Sequence, residues 1–151
     1  MQTANKYLGY PFELTGTVVR GDQIGREIGF PTANLNVHES HKLIPAYGIY
    51  AVEVEIFSNA TNSCAGEYIM PMPDAVARGM AYIGNRPTVD GMHRKIEINL
   101  LDFDDDLYEK SLRVKFLHFL RNDQWFESLE LLQEEIKKDE IKIRDYFDAL
   151  N

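Results

Sequence analysis

Cysteine is almost missing: Cys64 stands alone among 151 residues, which excludes an intramolecular disulfide and a cysteine-based zinc site. The four histidines, His38, His41, His93 and His118, form no His-Glu-x-x-His pattern, so each reads as a surface or packing residue. No apolar run is long enough to span a bilayer, and Met1 to Asn5 lacks the apolar core of a signal peptide. These absences predict a cytoplasmic chain without a membrane partner, and they deprive the sequon Asn59-Ala60-Thr61 of meaning. Positive charge is also short. Sixteen Lys and Arg against 24 Asp and Glu give −8, which argues against an extended nucleic-acid surface, because duplex binding needs Lys and Arg to neutralise phosphates. One focused basic loop can still hold a small anion in an acidic protein. Repeats and low-complexity segments are lacking as well, and the length suits one domain over 1–151, with 1–11 as a linker or terminal arm.

What is present is an unusual run, Gly21-Asp22-Gln23-Ile24-Gly25-Arg26-Glu27-Ile28-Gly29-Phe30-Pro31-Thr32-Ala33-Asn34-Leu35. Gly21, Gly25 and Gly29 let another group approach the backbone and, beside Arg26, suggest N–H donors with one fixed positive charge, which is a place for phosphate. Pro31 pushes Phe30 toward extended geometry and should hold Thr32 and Asn34 on one side of an extended segment. A hydroxyl and an amide carbonyl there can reach one hard cation. The run lacks both the Gly-Lys-Ser/Thr ending of a Walker A loop and the Gly-x-Gly-x-x-Gly of a dinucleotide-binding turn. A glycine-rich hairpin connection with a proline stop explains the spacing equally well, and Thr and Asn in turns often bond only to backbone.

Around this run the pattern is mostly β. Phe12 to Val19 alternates in part, Leu35 and Val37 suit a strand leaving the run, and Tyr50, Val52, Val54 and Ile56 alternate with Ala51, Glu53 and Glu55. Ser58 to Gly66 is polar, Met70-Pro71-Met72-Pro73 cannot lie in a central strand, and Ala81 to Gly84 restarts one before the turn Val89-Asp90-Gly91. Over Lys95 to Leu101 the apolar Ile96, Ile98 and Leu100 fall on one face and Glu97 and Asn99 on the other. Asp102 to Asp106 is an acidic turn without the glycine or terminal glutamate of a calcium loop, and Leu112 to Leu117 alternates as a last strand. From Ser128, a plausible N-cap, Leu129, Leu132, Ile136, Ile143, Tyr146 and Leu150 recur at helical spacing and predict a helix over 128–150. Strands followed by one terminal helix make an all-β to α+β pattern.

The run Gly-x-x-x-Gly-Arg-x-x-Gly-Phe-Pro-Thr-Ala-Asn-Leu resembles the signature of riboflavin kinases. Further segments occur in that family's order: Tyr47 to Val52, Ile83-Gly84-Asn85-Arg86-Pro87-Thr88, Ile96 to Phe103, Asp106-Leu107-Tyr108, Phe119-Leu120-Arg121, and Phe126 with Ser128-Leu129. The resemblance implies a single riboflavin kinase domain folded as a six-stranded antiparallel Greek-key barrel with a C-terminal helix. It implies an enzyme that transfers the γ-phosphate of ATP to the 5′-hydroxyl of riboflavin, giving FMN and ADP. By position in the motifs, Gly21, Gly25, Arg26, Gly29, Thr32 and Asn34 would bind ATP, Thr32 and Asn34 would hold Mg²⁺, and Glu97 would be the base. Arg121 and Phe126 would lie in a flap over the flavin. Tyr7 to Phe12 resembles the junction where the kinase module begins in bifunctional bacterial FAD synthetases, so an N-terminal FMN adenylyltransferase module would be a partner in a longer protein, and this chain would make FMN without FAD.

Each residue also has a plainer role. A glutamate on a strand's outer face is usually only solvated, Arg121 can be a solvated loop residue, and Phe126 can be an apolar staple ahead of the helix. Three positions and one stretch depart from the family's usual pattern: Asn85 for threonine, Asn99 for histidine, Glu109 for glycine, and the stretch Asn122 to Trp125. Two other classes remain, a flavin-binding barrel without catalysis and a single-strand nucleic-acid barrel, the second weakened by the acidic balance.

Overall fold

The computed structural model describes residues 1–21, 24–37, 42–58, 72–88 and 91–151, without the side chains of 24, 86–88 and 91–93. Cys64, the sequon, His38, His41, Met70-Pro71, the turn residues Val89-Asp90 and most of the 58–79 segment lie outside the described residues.

Six strands form a closed antiparallel barrel in the Greek-key order β1-β2-β5-β4-β3-β6. They are β1 (Phe12–Val19), β2 (Ala33–Val37), β3 (Gly48–Phe57), β4 (Ala75–Thr88), β5 (Gly91–Leu100) and β6 (Ser111–Arg121). The alternation seen in the sequence is the inside and outside of this barrel. Leu14, Val52, Val54, Ile83, Ile98, Leu112, Val114 and Phe116 are at most 1 % exposed and fill the interior. Phe116 meets the edge of Tyr50 at 5.3 Å. Each such side chain contributes about 1.5–3 kcal/mol on burial. On the outer face Glu53 and Glu55 stand opposite Lys115 and Arg113 of β6, and Glu55 binds both cations, at 2.6 and 2.8 Å. Burial pushes the Glu55 carboxyl up, but Lys115 and then Arg113 outweigh it and leave it below its ordinary value.

The C-terminal helix α3 (Leu129–Ala149) starts at Ser128, whose hydroxyl accepts the Leu131 N–H at 3.2 Å. Its Ile143 and Phe147 close over Ile49, Ala51 and Met80 on the outer wall, making a second core outside the barrel. Leu129 and Leu150, at the two ends of the helical spacing, are 51 % and 60 % exposed. No described helix is long and apolar enough to cross a membrane.

Three features differ from the sequence expectation. Residues expected as an arm form α1 (Gln2–Leu8), ended by Gly9 in the left-handed region. Asn5 fastens it by donating to the Phe116 carbonyl and accepting the Phe12 N–H, both at 2.8 Å. The glycine-rich run holds a single helical turn, α2 (Ile24–Glu27). β4 begins six residues before Ala81, since Ala75 to Met80 pair with β3, with β5 joining from Gly79, and that pairing overrides a weak local pattern. Glu109 takes φ 64, a left-handed conformation that suits the glycine common in the resembling family.

Candidate active site

The site lies on the outside of the barrel, where β2, β5 and β4 meet the glycine-rich loop and α3. Asn34 and Glu97 are directly opposed across the β2–β5 ladder, as are their inward-facing neighbours Ala33 and Ile98. Directly opposed residues share a face, so the carboxamide and the carboxylate both project outward at adjacent positions. Tyr82 of β4 opposes Glu97 from the other side. Lys95, two residues along β5, places its ammonium 3.0 Å from a Glu97 oxygen. Asn99, at the next outward position, donates to the Pro31 carbonyl at 2.8 Å and so ties β5 to the loop that carries Thr32.

The loop is shaped by its own bonds. Phe30 N–H reaches the Gly25 carbonyl at 2.7 Å and Gly29 N–H the Arg26 carbonyl at 3.2 Å, so the Gly29 donor is spent inside the loop. Gly29, at φ 83, ends the α2 turn in a conformation that L side chains seldom adopt. Gly21 serves differently: a Cβ there would stand 1.9 Å from the Asn34 carboxamide nitrogen, so the missing side chain is the space the Asn34 side chain occupies. Gln133 of α3 donates to the Ile28 carbonyl at 2.9 Å, fastening the loop to the helix.

Two cavities meet at Thr32, which lines both. One, of about 790 Å³, is bordered by Gly21, Arg26, Thr32, Asn34, Asp106 and Tyr108 and is polar. The other, of about 490 Å³, is bordered by Thr32, Glu97, Tyr82 and Asn99 and by the apolar Ile49, Met80, Phe126, Leu132 and Ile136. Glu97 borders the second and Asn34 the first, although the two face each other across the ladder.

Arg121 also lines the apolar cavity, in a constrained state. Its guanidinium grips the carboxylate of Asp139 with Nε at 2.9 and 3.1 Å and Nη2 at 2.7 Å, while Nη1 donates to the Asn122 carbonyl at 3.1 Å. Asp139 is 1 % exposed. Its hydrogen bond raises the Arg121 pKa against the opposing effect of burial. The solvated-loop alternative for Arg121 therefore fails, and only part of its donor set stays free for a ligand. Phe126 sits with its ring 5.9 Å from the same guanidinium and faces the cavity. Trp125 stands at the rim, 79 % exposed. The Tyr82 hydroxyl donates to Asp123 at 3.2 Å; burial first, then Asp123, pushes the phenol up to about 12.

The residues predicted from sequence therefore fall around two adjoining cavities: Gly21, Arg26 and Asn34 on the polar one, Gly25, Glu97, Arg121 and Phe126 on the apolar one, Thr32 on both, with Gly29 shaping the loop. Lys95, Tyr82, Asp123 and Asp139 were not singled out. Only Asp139 left a signal, shared with Glu140, as an acidic residue at stripe spacing between Ile136 and Ile143.

A polar recess thus adjoins an apolar slot at Thr32, with the Glu97 carboxylate bordering the slot. The riboflavin kinase family model matches residues 8–147. The chain therefore belongs to the riboflavin kinase family. It is 40 % identical over 144 residues to the bifunctional riboflavin kinase/FMN adenylyltransferase of Escherichia coli K12, with 95 % of this chain and 41 % of that protein covered. The protein of the same description from Listeria monocytogenes is 37 % identical over 151 residues, with 99 % and 43 % covered. The chain thus spans about two-fifths of the length of these relatives. Among solved structures, a Streptococcus pneumoniae chain described as a macrolide-efflux protein superposes with TM-score 0.79 at 34 % identity, covering 95 % of this chain and 41 % of that one. Riboflavin kinase from Trypanosoma brucei shares the fold, with TM-score 0.62 at 23 % identity, covering 91 % and 78 %.

Proposed function

We propose that this chain transfers the γ-phosphoryl group of ATP to the ribityl 5′-hydroxyl of riboflavin, giving FMN and ADP. The observation that carries the reading is the adjacency of Glu97 and Asn34 across one ladder, each bordering a different cavity. The polar cavity takes the phosphates, with Arg20 and Arg26 as cations on its lining; the apolar one takes the isoalloxazine ring between Phe126 and the barrel wall. The ribityl chain then runs past Glu97 toward Thr32.

Thr32 and Asn34 offer a hydroxyl and a carboxamide oxygen, and among the described residues no group of three or more His, Cys, Asp or Glu could hold a metal. Neutral oxygens suit Mg²⁺ that keeps waters and arrives with nucleotide phosphates, so the residues fit that ion. Thr32 and Asn34 would hold Mg²⁺ arriving with ATP, and the ion would supply positive charge against the phosphates. Glu97 accepts the proton of the 5′-hydroxyl as that oxygen bonds to phosphorus and the bond to the β-phosphate oxygen breaks. Lys95 holds the carboxylate in place. Arg26 offsets charge on the transferring group.

In the whole protein, which we place in the cytoplasm with its ATP, these residues act as the kinase part. Adenylyl transfer to FMN, if present as in the relatives, belongs to other residues. Incubating the chain with riboflavin, ATP and Mg²⁺ and separating the products tests the reading: FMN with equimolar ADP supports it, and unchanged riboflavin refutes it.

A further inference from the structure

Tyr82 is joined to both working parts of the apolar cavity. On the sheet it stands between Glu97 of β5 and Ile49 of β3, and Ile49 in turn opposes Arg121. Gly84, on the same face two residues along, is what lets the phenol lie down: a Cβ at Gly84 would stand 2.1 Å from the Tyr82 hydroxyl oxygen. From that slot the hydroxyl donates to Oδ2 of Asp123. The other oxygen of Asp123 accepts the Gln124 N–H at 2.9 Å, so this carboxylate shapes the chain just where it leaves β6. The segment that follows carries Trp125 and Phe126, both lining the cavity. It is held before by the Arg121–Asp139 pair and after by the Ser128 cap.

We infer that Tyr82 is a positioning residue, whose hydroxyl pins Asp123 and thereby sets the placement of Trp125 and Phe126 over the ring end of the substrate. This rests on the apolar cavity being the flavin side. The hydroxyl does not reach the reacting atoms in this role, so its loss acts on how firmly the ring is held and leaves the chemical step alone. Its high pKa keeps it a donor through any working pH.

Steady-state kinetics with riboflavin as the varied substrate test this at saturating ATP and Mg²⁺, with the emission of Trp125, the chain's single tryptophan, as a reading without ligand. Tyr82→Phe should raise KM for riboflavin about three- to tenfold, the worth of one hydrogen bond, with kcat within about twofold. It should also shift the Trp125 emission. Asp123→Ala should match it, Asp123→Asn, which keeps an acceptor oxygen, should restore KM, and Tyr82→Phe with Asp123→Ala should cost no more than either alone. Gly84→Ala, which displaces the hydroxyl without removing it, should raise KM likewise. Wild-type KM in Tyr82→Phe, or a fall in kcat at constant KM, would overturn the inference while leaving the kinase reading intact. A wild-type chain that makes no FMN would overturn both.

Discussion

Asn34 and Glu97 occupy opposed positions on the outer face of β2 and β5, one bordering the polar cavity and the other the apolar one. Opposed side chains on a shared face start about 4.5–5.5 Å apart at Cβ. Strand register alone therefore brings the Asn34 carboxamide and the Glu97 carboxylate side by side.

The Asn34 side chain occupies the space a Cβ would fill at Gly21. Gly21→Ala should displace the carboxamide and lower kcat/KM for MgATP about tenfold or more, the scale of one hydrogen bond to a charged group. Riboflavin binding should be unchanged. Titration of the initial rate with MgATP and of binding with riboflavin checks both.

Asp139 and Arg121 form an ion pair whose carboxylate is 1 % exposed. Removing one partner leaves a charge without its counterion, so Asp139→Ala should cost about 3–5 kcal/mol. Arg121 would also lose its fixed place beside Phe126, so the folded variant should bind riboflavin more weakly. Denaturant melts with riboflavin titration measure the two effects.

Glu55, gripped by Lys115 and Arg113, has its pKa lowered below 4.5 in the folded chain. A carboxyl lowered on folding contributes stability that is present above its unfolded pKa and is lost as pH falls through the folded value. Stability should therefore begin to fall below about pH 4.5, and Glu55→Gln should flatten that part of the curve. Thermal melts from pH 6 to pH 3, wild type against variant, read the difference.

Glu109 sits at φ 64, where a side chain costs about 1–2 kcal/mol. Glu109→Gly should relieve that and gain about 0.5–1 kcal/mol after the greater flexibility of the unfolded chain is counted. An upward shift in Tm with unaltered kinetics is the expected result.

Much of this architecture could be read from the chain, and the reasons are local. In β3 the alternation of Tyr50, Val52, Val54 and Ile56 with Glu53 and Glu55 is dictated by one buried and one wet face, and β5 repeats it around Glu97. α3 announces itself through Ser128 and the Leu132, Ile136, Ile143 stripe. By contrast, α1 buries nothing and so has no apolar stripe to show. The first half of β4, Ala75 to Met80, is a strand because β3 pairs with it throughout and β5 from Gly79 on, which its composition does not reveal. At the site, Thr32, Asn34 and Glu97 were legible through their motifs. Tyr82 was not, since its meaning lies in the register that sets it beside Glu97 and in a hydrogen bond across 41 residues. Asp139 was not legible either, since only its spacing from Ile136 and Ile143, which Glu140 shares, hinted at a buried partner.

The measurement closest to the central claim compares wild type with Glu97→Gln in FMN formation at saturating riboflavin, ATP and Mg²⁺, alongside riboflavin binding. If Glu97 takes the proton of the attacking hydroxyl, kcat should fall about 10²–10⁴-fold while the riboflavin Kd stays within about twofold. Turnover by Glu97→Gln at the wild-type rate, or a wild-type chain that binds riboflavin yet makes no FMN, would contradict the account.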